Sequence, residues 1–173
     1  MKDAAQEYSF ALSLVLVTLV TEQMDLILWR HAEAEDGSPD IARELTPKGH
    51  RQAEEIARWL KPRLPKGTEI LVSPAARAQQ TAQALTSRFK TVKEIAPGAP
   101  YSAILTAAQW PKHDGAVLVV GHQPTLGHAA AWLMAGEAVE WSIKKGAIWW
   151  LTYRVRSDEG QLILRAVMSP ELA

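Results

Sequence analysis

From Asp25 to Gly136 the chain alternates between short apolar runs of strand length and stretches in which apolar residues recur at helical spacing. Leu26-Ile27-Leu28-Trp29, Ile70-Leu71-Val72 and Ala116-Val117-Leu118-Val119-Val120 show no polar alternation, as strands buried on both faces of a parallel sheet require. Between the first two runs, Ala53, Ile56, Ala57 and Leu60 share one helical face, while Arg51, Glu54, Glu55 and Arg58 occupy the other. Thr46-Pro47 predicts the start of that helix, and Pro62 and Pro65 its end. Ser73-Pro74 predicts a second start, with Ser73 as cap, Pro74 as the first helical residue and a small-residue stripe of Ala78, Ala82 and Leu85. A short strand near Thr91 to Ile95 and a helix over Ala99 to Trp110 follow. A last helix carries Leu126, Ala129, Ala130 and Leu133 inward. After Gly136 the alternation stops. Ala147 to Val155 and Gln161 to Met168, joined by Ser157-Asp158-Glu159-Gly160, read as a hairpin. The expected architecture is a three-layer α/β/α sandwich with a mostly parallel central sheet and an antiparallel appendage.

Residues 1–23 stand outside this pattern. Phe10 to Val20 is largely apolar but has only about half of the ~20 residues that a membrane span requires, so no stable membrane insertion is expected. As a signal peptide it would mix Lys2 with Asp3 and Glu7, and no Ala-x-Ala site follows. Two readings stand: a start codon assigned upstream of Met24, or an added packing or dimer-forming segment. The expected division is a hydrophobic extension over 1–23 and one domain over 24–173.

Lys plus Arg and Asp plus Glu number 19 each. There is thus no bulk positive field for nucleic acid or a membrane surface, and any attraction for anions must be local. Cysteine is absent, which removes disulfide frameworks, cysteine nucleophiles and cysteine metal sites. The same absence fits a reducing compartment, so the expected location is the cytoplasm. No metal-ligand spacing is visible, and no cofactor is expected.

The chemistry gathers where the strands end. The first run stops at Arg30-His31, the second leads within one helical turn to Arg77, and the third stops at Gly121-His122. In open α/β sheets ligands bind beyond the carboxyl ends of the strands, so these four side chains are aimed at one crevice. Planar guanidinium forks from different elements can hold phosphoryl oxygens from two sides. Neutral imidazole is a competent nucleophile near neutral pH, and a nitrogen-linked phosphoryl group passes readily to water. Covalent phosphoryl transfer through His31, with His122, Arg30 and Arg77 holding the equatorial oxygens, is the reading these residues carry. His50, His113 and His128 have no such company and are expected to be ordinary polar residues.

Arg30-His31-Ala32, the segment Ser73-Pro74-Ala75-Ala76-Arg77-Ala78-Gln79-Gln80-Thr81 and Gly121-His122 resemble the histidine phosphatase (phosphoglycerate mutase-like) superfamily. Within it the chain is similar to the short SixA-type phosphohistidine phosphatases from roughly Met24 to its C-terminus. The order and spacing of the motifs, rather than any one of them, carry the likeness. Ala32 stands where most of the superfamily has glycine, a change small enough to leave a phosphate room. The resemblance implies His31 as nucleophile. It also implies Arg43 as a further phosphate ligand, because an arginine often precedes the segment matched here by Leu45-Thr46-Pro47-Lys48-Gly49. The alternative for Arg43 is a surface ion pair with Glu44 or Asp40.

The leaving group discriminates between substrates. An alkoxide needs a proton from a general acid, and Gln123 occupies one familiar position for that acid. Glu33 is the candidate nearest His31 in sequence, with Glu35, Asp36 and Glu94 behind it. An imidazole leaves more readily than an alkoxide, so a missing acid favours phosphohistidine. The short segment between Arg77 and His122 predicts an open, shallow pocket that suits a protein substrate. The resemblance implies a partner such as a phosphorylated histidine-phosphotransfer domain. Two other readings stay open: a small-molecule phosphomonoester phosphatase, and a non-catalytic phosphate-binding module.

Overall fold

The computed structural model describes residues 23–156 and 159–173, so the apolar run Phe10 to Val20 lies outside the described residues. β1 (Gln23–Arg30), β2 (Glu69–Val72), β3 (Lys90–Thr91), β4 (Gly115–Gly121), β5 (Ile148–Arg156) and β6 (Glu159–Met168) form one sheet in the order β3-β2-β4-β1-β5-β6. β1 pairs in parallel with β4, and β2 with both β3 and β4, while the β1–β5 and β5–β6 pairs are antiparallel. The sheet is therefore the expected mostly parallel one with a hairpin appended to β1.

Period-two geometry divides each central strand between two cores. Leu26 and Leu28 of β1 join Leu71, Val117 and Val119 beneath α3 (Tyr101–Ala107) and α4 (Thr125–Ala135). Ile27 and Trp29 join Val72, Leu118 and Val120 beneath α1 (Pro47–Leu60) and α2 (Ala76–Gln83). Helices on both faces explain why these strands carry no polar alternation.

Thr46 caps α1 as expected, its side chain accepting the Gly49 N–H at 2.9 Å. Gly49 is required there by contact: a Cβ would sit 1.9 Å from the Glu33 carbonyl oxygen, so the helix start lies against the loop that leaves β1. Three expected boundaries shift. Ala75, not Ser73, is the N-cap of α2, because Ser73 continues the sheet, its N–H donating to the Val120 carbonyl at 3.0 Å. The strand near Thr91 to Ile95 is only the two-residue edge β3, followed by a 3-10 turn over Lys93–Ile95. The third helix is shorter than Ala99 to Trp110, since Pro100 caps its start and Gln109, at φ 52°, has left the helical region.

Candidate active site

The β1–β4 register pairs Arg30 with Gly121, and the His31 N–H donates to the Gly121 carbonyl at 3.0 Å. The ladder therefore sets His31 and His122 side by side, with ring centroids 5.1 Å apart. Both rings are buried. His31 Nδ1 lies 2.7 Å from the Ala32 carbonyl oxygen, which can only accept. Nδ1 thus carries the ring proton, and Nε2 presents its lone pair. Burial, reinforced by Arg77, Arg30 and Arg43 and opposed by the Ala32 carbonyl, pushes the His31 pKa down to about 4. At neutral pH the ring is uncharged and able to act as a nucleophile.

Arg77 leans back from the first turn of α2, and its Nε donates to His31 Nε2 at 3.3 Å. Nη1 donates to the Asp40 carbonyl oxygen at 2.6 Å and Nη2 to Asp40 Oδ2 at 2.9 Å. Asp40 opens a 3-10 turn, Asp40–Ala42, in the loop after β1. Its Oδ1 accepts from Arg43 Nη1 at 2.9 Å, and Arg43 Nε donates to the Glu35 carbonyl at 2.6 Å. Arg43 makes the ion pair with Asp40 that the sequence offered as its alternative, and through that carboxylate it is joined to the site.

Arg30 is anchored differently. Its Nη1 donates to the Ile143 carbonyl at 2.7 Å and its backbone N–H to the Ala147 carbonyl at 3.0 Å. The segment 143–147 also takes Trp29 Nε1–H on the Gly146 carbonyl at 2.8 Å and returns the Gly146 N–H to the His31 carbonyl at 3.1 Å. The end of β1 is thus braced on the side away from β4. Arg30 Nε is buried without a partner among the described residues, and burial lowers the pKa of the guanidinium.

His122 Nε2 lies 2.7 Å from Ser73 Oγ, which also accepts the Ala75 N–H at 3.3 Å. Where the hydroxyl donates to Nε2, the ring proton sits on Nδ1, an atom buried with no partner among the described residues. Burial first, then His31, Arg77 and Arg30, push the His122 pKa down to about 3. Buried polar groups normally find partners. Among the described residues one buried nitrogen in each of Arg30, His122, His113 and Trp150 does not, and the first two flank His31, where an anion's oxygens would be received.

Glu33 and Gln123 are placed for other tasks. Glu33 accepts from Lys48 Nζ at 3.1 Å and Thr46 Oγ1 at 3.2 Å, and the Lys48 bond leads in lowering its pKa. The Gln123 amide donates to the Trp141 carbonyl at 2.8 Å and accepts the Gly127 N–H at 3.0 Å, tying α4 to the loop before β5. His113 pairs with Glu69 at the opposite end of the sheet. A groove of about 790 Å³ lined by Tyr101, Leu105, Trp110 and Trp132 contains none of the groups described above. Among the described residues no cluster of three His, Cys, Asp or Glu is placed to hold a metal ion.

The structure gathers Arg30, His31, Arg77 and His122, as the strand ends predict, and adds Asp40 and Ser73, which they do not. Ser73-Pro74 signals a helix cap, yet the Ser73 hydroxyl meets His122. Asp40, three residues before Arg43, is visible in the sequence only as a surface partner.

A family model described as the histidine phosphatase superfamily (branch 1) matches residues 26–98. Phosphohistidine phosphatase SixA of Escherichia coli (strain K12) is 31% identical over 123 residues, covering 66% of this chain and 76% of that protein. The solved structure of the protein histidine phosphatase SixA complexed with tungstate matches with a TM-score of 0.69 at 27% identity, covering 85% of this chain and 97% of that one. A SixA candidate from Nakamurella multipartitia matches at 0.68 and 28% identity, covering 86% and 96%. The family model covers the segment with Arg30, His31, Arg43 and Arg77, and the SixA relative and structures extend the likeness over most of the chain: the chain belongs to the histidine phosphatase superfamily, with its phosphoglycerate mutase-like fold, and is a phosphatase with a histidine nucleophile.

Proposed function

We propose that the protein removes phosphate from phosphohistidine on a partner protein, through a covalent intermediate on His31 Nε2. The observation that carries the substrate choice is the state of the carboxyl groups. Asp40, the one acid hydrogen-bonded to Arg77 among the described residues, has its pKa lowered by the hydrogen bonds from Arg77 and Arg43. Glu33 is held ionised by Lys48, and the position after His122 is an amide bonded to backbone. Neither acid is protonated at neutral pH, so neither supplies a proton to an alkoxide leaving group.

A phosphohistidine needs no such donor. The lone pair on His31 Nε2 attacks phosphorus as the substrate's P–N bond breaks, and its electron pair returns to the substrate ring. Where that ring's other nitrogen carries a proton, it leaves as neutral imidazole. Arg77, Arg30 and the His122 Nδ1–H receive the equatorial oxygens as charge spreads over them, with Arg43 as a further ligand. Water then attacks phosphorus, the Nε2–P pair returns to His31, and both water protons leave with orthophosphate.

The likeness to SixA supports a phosphoprotein as the kind of substrate, and a histidine-phosphotransfer domain is the form we propose. The cytoplasmic location argued from the absence of cysteine belongs to the same proposal. No helix among the described residues is long and apolar enough to cross a membrane. The test compares turnover of a phosphorylated histidine-phosphotransfer domain with that of p-nitrophenyl phosphate and sugar phosphates, beside a His31→Ala control. Preference for the nitrogen-linked phosphate, lost in the control, supports the proposal. Preference for the esters overturns it in favour of a metabolite phosphatase.

A further inference from the structure

We infer that Asp40 is a positioning residue of the phosphate site, its carboxylate bridging Arg77 and Arg43 and so setting the guanidinium that faces His31. The inference rests on the phosphoryl-transfer reading of that site. An acid beside arginines that must receive an anion is unexpected, because it competes for the same donors. Its geometry resolves the conflict. Asp40 takes Nη1 of Arg77 on its backbone oxygen and Nη2 on Oδ2, so a single residue holds both outer nitrogens. A guanidinium is planar, and fixing both Nη groups fixes the direction of the Nε–H that points at His31 Nε2. Each Nη keeps one further N–H, so Arg77 retains donors for a phosphoryl group on that nitrogen.

The other carboxylate oxygen serves Arg43, which comes from the same loop and not from α2. Asp40 thereby joins a side chain of the loop after β1 to one on the helix after β2. Arg77 is nearly fully buried, with 5% of its side chain exposed, and among the described residues Asp40 is the one acid it is paired with. Asp40 itself is half-exposed, and the hydrogen bonds from both arginines keep it ionised. The charge is therefore present when substrate arrives.

This arrangement predicts opposite effects on binding and on turnover. Asp40→Asn removes a competing negative charge, so orthophosphate binds as tightly as in the wild type or more tightly. The same change releases the orientation of Arg77, and kcat falls about tenfold to a hundredfold, the range expected of a small misplacement of a reacting partner. A residue that merely supports the fold would weaken both together. Asp40→Glu keeps the charge at a different reach and recovers part of kcat.

The experiment measures kcat on whichever substrate the wild type turns over, orthophosphate affinity by titration calorimetry, and exchange of the Arg77 Nε–H by nitrogen-15 NMR. Wild type, Asp40→Asn, Asp40→Glu and Arg77→Ala are compared with Arg77→Ala/Asp40→Asn. The expected result is lowered kcat with retained phosphate binding, faster exchange of the Nε–H, and no further loss when Asp40→Asn is added to Arg77→Ala. Wild-type kcat in Asp40→Asn, or an Arg77 Nε–H as protected as before, overturns the inference. A preference for esters would refute the phosphohistidine reading and leave the Asp40 comparison intact. If the wild type turns over nothing, the NMR exchange still decides it.

Discussion

Two half-buried ion pairs stand at opposite ends of β1, and they are near mirror images in charge. At the amino end Asp25 is buried and Arg165 half-exposed, with side-chain exposures of 4% and 51%. At the carboxyl end Arg77 is buried and Asp40 half-exposed, at 5% and 53%. Asp25 is satisfied by protein alone: Oδ1 accepts from Thr152 Oγ1 at 2.5 Å and Oδ2 from Arg165 Nη1 at 3.2 Å. Arg165 in turn lies over the Trp150 ring at 4.7 Å. The Arg77 end is left incomplete. Among the described residues its Nε bonds only a neutral imidazole, and the neighbouring Arg30 and His122 each keep a buried nitrogen without a partner. Burial and pairing are alike at the two ends. A leftover donor alone does not make a site, since Trp150 Nε1 beside Arg165 is also buried without a partner among the described residues. What separates the two ends is that the leftover nitrogens at the Arg77 end belong to a guanidinium and an imidazole gathered around His31.

Arg77→Ala bears hardest on this difference. It should lower turnover by about 10²–10³-fold, the usual loss when a donor to developing charge is removed, with the fold retained by far-UV circular dichroism. Asp25→Asn should do the reverse. Weakening a satisfied buried carboxylate costs about 1–3 kcal/mol in urea unfolding, while kcat per folded molecule stays at the wild-type value. Loss of activity without loss of stability in Asp25→Asn would erase the contrast.

The histidines add an effect of defined sign. Both folded-state pKa values, about 4 for His31 and about 3 for His122, lie below the ordinary 6.5. The unfolded chain therefore binds protons where the folded one does not. Their contribution to stability is complete above pH 6.5 and is lost as pH falls through the folded-state values. Urea midpoints taken from pH 7 down to pH 4 should show that slope, and it should be shallower in His122→Asn. Smallest of all is Glu33→Gln. A carboxylate already committed to Lys48 at the surface should change turnover of either substrate class by less than about twofold. A selective loss of ester hydrolysis in that variant would restore Glu33 as an acid.

The strand ends were legible in the sequence because backbone pairing places them. A continuous apolar run that stops at Arg30-His31, and another that stops at Gly121-His122, must bring the two histidines together once β1 and β4 lie in register. The loop between β1 and α1 was not legible in this way. Asp40 reaches Arg77 through a 3-10 turn and a side-chain bond across 37 residues of sequence, and nothing in local periodicity reports such a contact. Ser73 failed for a related reason. Ser followed by Pro is a helix-start signal, and the hydroxyl's actual partner, His122, becomes its neighbour only through the β2–β4 pairing. The two-residue β3 fell short of expectation because an exposed edge strand has one neighbour and little apolar burial to extend it.

The measurement that reaches furthest is rapid-quench trapping with a phosphotransfer domain carrying radiolabelled phosphohistidine, followed by peptide mapping under alkaline conditions that preserve phosphohistidine. A transient label on the peptide containing His31, rising before orthophosphate and absent in His31→Ala, is the predicted result. Release of orthophosphate with no label on the enzyme, or with label on any residue other than His31, would contradict covalent transfer through His31.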